Sequence, residues 1–150
     1  MRRRLGALAL TSALAAISQP AFAQSAGTDA VRVTVFKQAT CSCCAKWIAH
    51  MTTAGFVVDA QNVTDPARIK EAQHVPVSLR TCHTALVGGY VIEGHVPADV
   101  VRTLLRDRPN VTGIGVPGMP KGSPGMESPT PEHYKVLAFR DGRTTVFAER

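Results

Sequence analysis

The sequence predicts an α/β domain, because segments with strand periodicity and segments with helical periodicity alternate along the chain. Residues 31–36 alternate apolar with polar side chains, as a half-buried strand does. The next segment has residues on one helical face, and these are Cys44, Trp47, Ile48 and Met51. A cysteine cluster lies between that strand and this helix. We expect the order βαβα followed by ββα, which is the layout of a thioredoxin-like fold.

The second strand and the second helix are marked by residues that start or stop elements. Gly55 is suited to end the first helix, and residues 56–61 follow it with strand-like character. Asp65 is a good helix N-cap, and the proline after it suits the first helical position. We expect a short helix from there to about Gln73.

The second half of the predicted domain begins with a hairpin. Two strand-like segments, residues 84–87 and 90–93, are separated by Gly88-Gly89, a pair typical of a tight turn. A proline then opens an amphipathic segment, and we expect a third helix over residues 97–106.

Residues 107–133 differ in composition from the rest, since they contain six prolines and five glycines. This content is too high for regular structure, so we expect a long irregular loop. Two further strand-like segments, residues 135–139 and 144–148, flank an Asp-Gly pair and predict a closing hairpin. Because the linker is short and the hairpin is small, residues 24–150 are predicted to form a single domain.

The N-terminal segment has the pattern of a signal peptide. Three arginines precede an apolar run over residues 5–17, and residues 21–23 (AFA) form a small-x-small cleavage pattern. The apolar run is shorter than the about 20 residues that a membrane-spanning helix needs. We therefore predict that residues 1–23 are removed and that the mature chain is periplasmic, with no stable membrane insertion. The export route stays open.

The charge of the mature chain argues against nucleic-acid binding. Removing residues 1–23 lowers the formal net charge from +6 to +3, because this segment carries three arginines and no acidic residue. The remainder has no block of Lys and Arg, and its aromatic residues are scattered. With about 127 residues it can bury a core and does not need disulfides merely to fold.

Four cysteines and a histidine form the main candidate site. Cys41, Cys43 and Cys44 lie within four positions, and Cys82 is followed directly by His83. The first three are near the predicted start of a helix, where the macrodipole favours thiolates. In a thioredoxin-like fold the loop with Cys82 faces that helix start. Thiolates with imidazole suit Cu(I), and Zn(II) could use the same ligands, but the exported location and the methionines favour copper.

Disulfide formation is the main alternative for these cysteines. A bridge from Cys43 to either Cys41 or Cys44 would be strained, because so few residues separate the partners. Only Cys41 and Cys44 have the Cys-x-x-Cys spacing of thiol–disulfide oxidoreductases. Cys44 also shares a helix face with Trp47, so it is either a metal ligand or a buried core thiol.

Further residues could complete a metal site. His95 follows the fourth strand, where it either reaches the metal or caps the next helix. The triplet Pro-Gly-Met occurs twice in the proline-rich loop, and Met119 or Met126 either binds Cu(I) through its thioether or packs against the core. The remaining histidines are expected at the surface, and these are His50, His74 and His133.

Several separated motifs together resemble one bacterial family. They are residues 41–47 (CSCCAKW), 82–85 (CHTA), 89–97 (GYVIEGHVP) and 116–120 (VPGMP). This combination is similar to the domain-of-unknown-function family 411 (DUF411), whose CopG-like members are periplasmic copper-resistance proteins. The resemblance extends from about residue 31 to the C-terminus.

The resemblance implies a thioredoxin-like domain that binds copper through its Cys-x-Cys-Cys and Cys-His motifs, with a cysteine-bridged multicopper cluster as one form of the site. It also implies interconversion of Cu(I) and Cu(II) during copper detoxification. Carried onto this sequence, the implied ligands are Cys41, Cys43, Cys44, Cys82 and His83, with His95 and Met119 as neighbours.

Three functions are consistent with these observations. The first is a periplasmic copper-binding protein for copper resistance that cycles Cu(I) and Cu(II), which would make it a copper oxidoreductase. A copper exporter, a chaperone or a redox carrier would then be its partner. The second is a metal-free thiol–disulfide oxidoreductase. The third is a copper chaperone or buffer that does not change the oxidation state of its cargo.

Overall fold

The computed structural model describes residues 30–150, so the predicted signal peptide (residues 1–23) lies outside the described residues. The secondary structure that it does describe consists of seven strands, three α-helices and one 3₁₀ turn. Among residues 30–150, no helix has the length and apolar character needed to cross a membrane.

All seven strands belong to one mixed sheet. The strands are β1 (Arg32–Lys37), β2 (Val57–Asn62), β3 (His83–Val87), β4 (Tyr90–Glu93), β5 (Gly113–Gly115), β6 (Lys135–Arg140) and β7 (Arg143–Glu149). Their order across the sheet is β2-β1-β3-β4-β5-β6-β7. The pairs β1–β2 and β4–β5 are parallel, and the other neighbours are antiparallel.

The helices are α1 (Ser42–Thr53), α2 (Pro66–Ala72) and α3 (Ala98–Asp107), and a 3₁₀ turn covers Val77–Leu79. The α/β class and the order βαβα-ββα up to α3 are therefore confirmed. The glycine pair after β3 does form the predicted hairpin turn, and the predicted closing hairpin is β6–β7.

Two apolar clusters lie on opposite faces of the sheet. The larger cluster joins strand residues such as Val35 and Ile92 to Trp47 and Met51 of α1 and to Leu104 of α3. Strand side chains alternate between faces, so their neighbours in sequence point the other way. A smaller cluster on that second face consists of Val75, Leu79, Val91 and Phe139, with Leu86 and Leu137 packed against it. The sheet is therefore covered by α1 and α3 on one face and by the α2 region on the other.

The prediction that residues 107–133 are irregular throughout is wrong at Gly113–Gly115, which form β5 in the middle of the sheet. A Cβ atom on Gly113 would lie 2.1 Å from the carbonyl oxygen of Val91, so only glycine allows this close pairing. The run of glycines that suggested a loop thus provides the strand that connects the closing hairpin to the rest of the sheet.

Candidate metal centre

The candidate site lies at one edge of the sheet, where three segments of the chain meet. The loop that follows β1 carries Cys41, which is the N-cap of α1. Cys82 directly precedes β3, and β1 and β3 are paired so that Lys37 lies opposite His83. The end of β4 joins the same place, because the N–H of Gly94 donates to the carbonyl oxygen of His83 at 3.1 Å. Sheet pairing therefore brings the predicted cysteine and histidine motifs together.

All four cysteines lie within one small volume, with their sulfur atoms within 4.8 Å of one another. Cys41 and Cys44 are joined by a disulfide, whereas Cys43 and Cys82 are free. The Sγ atom of Cys43 lies 3.5 Å from that of Cys41 and 3.8 Å from that of Cys82. The cluster thus presents two thiols beside one disulfide.

The expectation that the helix start favours thiolates at Cys41, Cys43 and Cys44 needs correction for Cys41 and Cys44, which form a disulfide in this oxidised form. The first helical turn places the Cα atoms of Cys41 and Cys44 5.4 Å apart, within the usual range for a disulfide. The disulfide therefore has the Cys-x-x-Cys spacing of thiol–disulfide oxidoreductases. Cys44 is fully buried, as expected for a residue on the Trp47 face of the helix. Its role as a ligand remains a prediction for the reduced protein.

Two imidazoles contact the free thiol of Cys82. The Nε2 atom of His95 lies 3.2 Å from the Sγ atom of Cys82, and the Nδ1 atom of His83 lies 3.4 Å from it. The ring of His83 packs against the indole of Trp47, with 4.5 Å between centroids. The Nε2 atom of His83 is buried and has no hydrogen-bond partner within the described part of the chain. Cys82, His83 and His95 form a second group that could hold a metal ion.

The orientation of His95 is set by the proline-rich loop. Its Nδ1 atom lies 2.7 Å from the carbonyl oxygen of Pro124, and because a carbonyl only accepts, Nδ1 carries the proton. The Nε2 atom is then left with its lone pair facing Cys82. A histidine whose second nitrogen donates to a carbonyl is the usual arrangement for a metal ligand.

Of the two alternatives for His95, capping of the next helix is wrong. The N-cap of α3 is Pro97, which makes no side-chain cap. The N–H of Ala98 instead donates to Nε2 of His50 at 3.0 Å. His50 is therefore half-buried and bonded to α3, whereas a surface position was expected, and His74 and His133 are exposed as predicted.

Burial keeps the side chains of Cys82, His83 and His95 uncharged in the absence of a metal, because it shifts the pKa of each toward the neutral form. Desolvation, together with the neighbouring Cys43 thiol, raises the pKa of Cys82 to about 12. Desolvation lowers the pKa of His83 to about 3, and it lowers the pKa of His95 against the opposing effect of the Pro124 carbonyl. Both histidines are thus in the neutral form that binds metals. Cys82 holds a proton that a metal ion would have to displace.

The loop after β5 covers the site. Gly125 adopts a φ of +89°, and a Cβ atom there would lie 2.7 Å from the carbonyl oxygen of Cys43 and 3.3 Å from Nδ1 of His95. Beside this contact a surface cavity of about 400 Å³ is lined by Cys43, Met126 and Lys46, among others. The side chain of Met119 is 48% exposed, so its assignment as a ligand stays a prediction.

Two groups that shape the site were not predicted from the sequence. One is the backbone carbonyl of Pro124, which no side-chain pattern could have indicated. The other is the buried ion pair of Lys70 and Glu93, with Nζ and Oε1 2.7 Å apart behind the Cys82 segment. A glutamate at the end of an apolar strand was a usable signal, since such a residue needs a partner when buried.

The site defines the class of protein. An α/β domain that collects two free thiols, a disulfide and two neutral imidazoles at one sheet edge has the donor atoms for a soft metal ion and the groups for thiol chemistry.

Comparison with known proteins agrees with this class. The family model described as "Protein of unknown function, DUF411" matches residues 79–126. Two solved structures described as copper resistance protein CopG, forms 2 and 1, are each 39% identical to this chain. Each alignment covers 81% of this chain. It covers 99% of the form 2 chain with a TM-score of 0.77, and 98% of the form 1 chain with a TM-score of 0.76. No curated protein matches. The chain belongs to the DUF411 family of CopG-like proteins.

Proposed function

We propose that this protein binds copper at the cysteine–histidine centre and acts in copper resistance. The observation that carries the proposal is the position of Cys82, which belongs both to the group of four sulfur atoms and to the group with His83 and His95. One thiol thereby links a sulfur-rich half and an imidazole half. Copper is favoured over zinc because the similar solved structures are of a copper resistance protein.

The residues present fit a copper ion. Two thiolates on one tetrahedral metal, at about 2.3 Å from it, lie about 3.8 Å apart. The Sγ atoms of Cys43 and Cys82 are 3.8 Å apart before any metal is bound. The buried Nε2 atom of His83, which lacks a partner within residues 30–150, would gain one if its ring turned toward a metal.

Reduction of the Cys41–Cys44 disulfide would extend the site. A dithiol reductant would supply two electrons and two protons, becoming a disulfide itself while Cys41 and Cys44 become thiols. Four thiolates within 4.8 Å could then bridge several copper ions as a multinuclear cluster. The proposed ligand set is Cys41, Cys43, Cys44, Cys82, His83 and His95, with Met119 supplied by the covering loop.

The proposal includes redox cycling of the bound copper. Bound copper would exchange one electron with a redox carrier and so alternate between Cu(I) and Cu(II). The thiolates of the site favour Cu(I), and the neutral imidazoles of His83 and His95 are donors that Cu(II) also accepts. The Pro124–Gly125 backbone limits access of water to this side of the site, because it packs directly on His95 and Cys43.

The location and the fold type belong to the same proposal. We infer that residues 1–23 direct the chain to the periplasm and that residues 24–150 form one thioredoxin-like domain. Support for the fold type comes from the strand order β2-β1-β3-β4, with β1 and β2 parallel, and from the cysteine turn at the start of α1. A copper exporter or chaperone would be the partner that receives or delivers the metal.

A metal-free thiol–disulfide oxidoreductase is the second candidate, and one observation favours it. The Cys-x-x-Cys disulfide between Cys41 and Cys44 lies at the N-terminus of α1, where that activity would need it. In the reduced protein Cys41 or Cys43, whose sulfur atoms are 3.5 Å apart, would attack the disulfide of a substrate as a thiolate, and another cysteine would then displace the reduced substrate from the mixed disulfide. A copper chaperone or buffer without redox turnover would use the same ligands as the first candidate.

The deciding experiment measures copper and free thiols together. The mature protein is reduced, purified without oxygen, loaded with Cu(I) and freed of loosely held ions. We expect more than one tightly held copper ion per chain and thiols that are protected from alkylation. Retained copper that changes oxidation state with a redox carrier would separate the oxidoreductase from the chaperone.

Variants then locate the metal. We expect Cys43→Ser together with Cys82→Ser to abolish retention, since these two thiols link both halves of the site. Ser42→Ala, on the exposed first residue of α1, is the matched control. Full copper stoichiometry in the double cysteine variant would refute the proposed centre, and an absence of retained copper with a readily reversible disulfide would favour the metal-free oxidoreductase.

A further inference from the structure

A buried ion pair lies behind the metal centre, on the α2 face of the sheet. The side chain of Glu93 is fully buried, and Lys70 of α2 is 5% exposed. Their Oε1 and Nζ atoms are 2.7 Å apart. Removing two charges from water is costly, and a buried pair of this kind is weak support for stability in itself. Its hydrogen bonds indicate another role.

The carboxylate of Glu93 binds the chain on both sides of the Cys82-His83 pair. Its Oε1 atom accepts from the backbone N–H of Thr81 at 2.6 Å and from the Thr81 hydroxyl at 3.3 Å. Its Oε2 atom accepts from the hydroxyl of Thr84 at 2.7 Å, and Lys70 also donates to that hydroxyl at 3.0 Å. The residues just before and just after the two proposed ligands are therefore held by one side chain.

Strand alternation and two glycines leave space for the side chains of Glu93 and Thr81. Thr84 and Glu93 are directly opposite in the β3–β4 ladder, and alternation directs them to the α2 face while His83 points to the α1 face. A Cβ atom on Gly115 of the neighbouring strand would lie 3.1 Å from Cβ of Glu93. A Cβ atom on Gly94 would lie 2.4 Å from Oγ1 of Thr81, so glycine is needed where the chain turns toward His95.

We propose that Glu93 is a positioning residue of the metal centre, which with Lys70 holds Cys82 and His83 on one strand end close to His95 on the next. This inference rests on the proposed function, because it assigns a role toward the metal that the site would bind. A pair that only stabilised the fold would leave the geometry of the ligands unchanged when replaced by well-packed residues.

Two double variants separate positioning from packing. Lys70→Met with Glu93→Leu replaces the ion pair by apolar side chains and removes every hydrogen bond that the two side chains make to Thr81 and Thr84. Lys70→Met with Glu93→Gln also removes both charges, but its amide oxygen can still accept from the N–H of Thr81. In competition with a chromophoric Cu(I) chelator, we expect about a 10- to 100-fold loss of affinity in the Leu variant and a loss of no more than about threefold in the Gln variant.

A second measurement uses the metal-free, reduced protein. Mass spectrometry follows the modification of Cys82 by iodoacetamide. We expect this modification to be faster in the Leu variant than in the Gln variant, because release of the segment exposes the thiol. Urea unfolding of both variants shows whether the fold is retained. If the Leu variant does not fold, Thr84→Val removes both hydrogen bonds of the Thr84 hydroxyl and keeps the Lys70–Glu93 ion pair, and a several-fold loss of Cu(I) affinity is expected.

The outcomes distinguish this inference from the proposed function. Folded Leu and Gln variants with equal Cu(I) affinity and equal Cys82 modification would overturn the positioning role, as would an unchanged affinity in Thr84→Val. If the unmodified protein retains no Cu(I), the proposed function fails. The comparison of Cys82 modification rates then still decides whether Glu93 positions the segment.

Discussion

The Nε2 atom of His95 lies 3.2 Å from the Sγ atom of Cys82, although 12 residues separate them in the chain. The two are neighbours because β3 and β4 form a hairpin, which brings the residue before one strand beside the segment after the other. The carbonyl oxygen of Pro124 fixes the imidazole from its other side. The imidazole is thus oriented toward the thiol in the metal-free protein.

Replacing His95 is the most direct check of this orientation. We expect His95→Ala to lower Cu(I) affinity by about 10- to 100-fold, because it removes one proposed ligand and the contact to the covering loop. Competition with a chromophoric Cu(I) chelator measures the change. His133→Ala, in an exposed residue of the same loop, is the control and should behave as the unmodified protein. An unchanged affinity in His95→Ala would remove this residue from the site.

The packing of the covering loop predicts that alanine substitution lowers the free energy of unfolding by different amounts at two glycines. Gly118 and Gly125 both have positive φ, but a Cβ atom on Gly118 would meet nothing within 4 Å, whereas one on Gly125 would lie 2.7 Å from the backbone of Cys43. We expect Gly118→Ala to lower the free energy of unfolding by about 1 kcal/mol from backbone strain alone. Gly125→Ala should lower it by about 2 to 4 kcal/mol, since overpacking is added. Equal urea midpoints for the two variants would contradict the packed loop.

Burial of His83 predicts a loss of stability in acid. The pKa of this residue is lowered from 6.5 to about 3 in the folded protein, mainly by desolvation. Between these pH values the unfolded chain binds one proton more than the folded chain at this position. The contribution of His83 to stability is therefore complete above pH 6.5 and falls, as the pH drops below it, by up to about 1.4 kcal/mol per unit.

The variant His83→Gln separates the contribution of His83 to the pH dependence of stability from the contribution of the carboxylates. We expect its free energy of unfolding, measured in urea at pH 7, 6 and 5, to fall less steeply with acid than that of the unmodified metal-free protein. His74→Gln, in an exposed residue, should keep the original slope. Parallel slopes for the unmodified protein and His83→Gln would show that His83 is not held neutral.

The thiol of Cys82 should react as a very weak acid. Its pKa is raised from an ordinary value of 9.0 to about 12, first by burial and then by the neighbouring Cys43. At pH 8 the reactive thiolate fraction is then about a thousandfold below that of an ordinary thiol. In the metal-free protein, alkylation of Cys82 should keep rising between pH 8 and 10. A plateau below pH 9, seen by mass spectrometry of the Cys82 peptide, would contradict the raised pKa.

Much of the fold follows from short-range patterns. The strand before the cysteines, the amphipathic α1 and the Gly88-Gly89 hairpin were all predicted, because each depends on periodicity or on turn residues within a few positions. The strand Gly113–Gly115 was not predicted. Its two glycines have low strand propensity, and the segment pairs only because β4 and β6 are positioned on either side of it.

The sequence by itself determined which donor atoms exist and that they fall in three segments: the cysteine turn, the Cys82-His83 pair and His95. Tertiary structure alone decided which of these donor groups lie close together and how they are oriented. It directed His95 to Cys82 and away from α3, and it set Glu93 behind the Cys82-His83 pair. The physical reason is that hydrogen bonds across strands, close glycine contacts and desolvation all depend on residues distant in the chain. Local sequence specifies the donor residues, and the packed sheet specifies their distances and protonation.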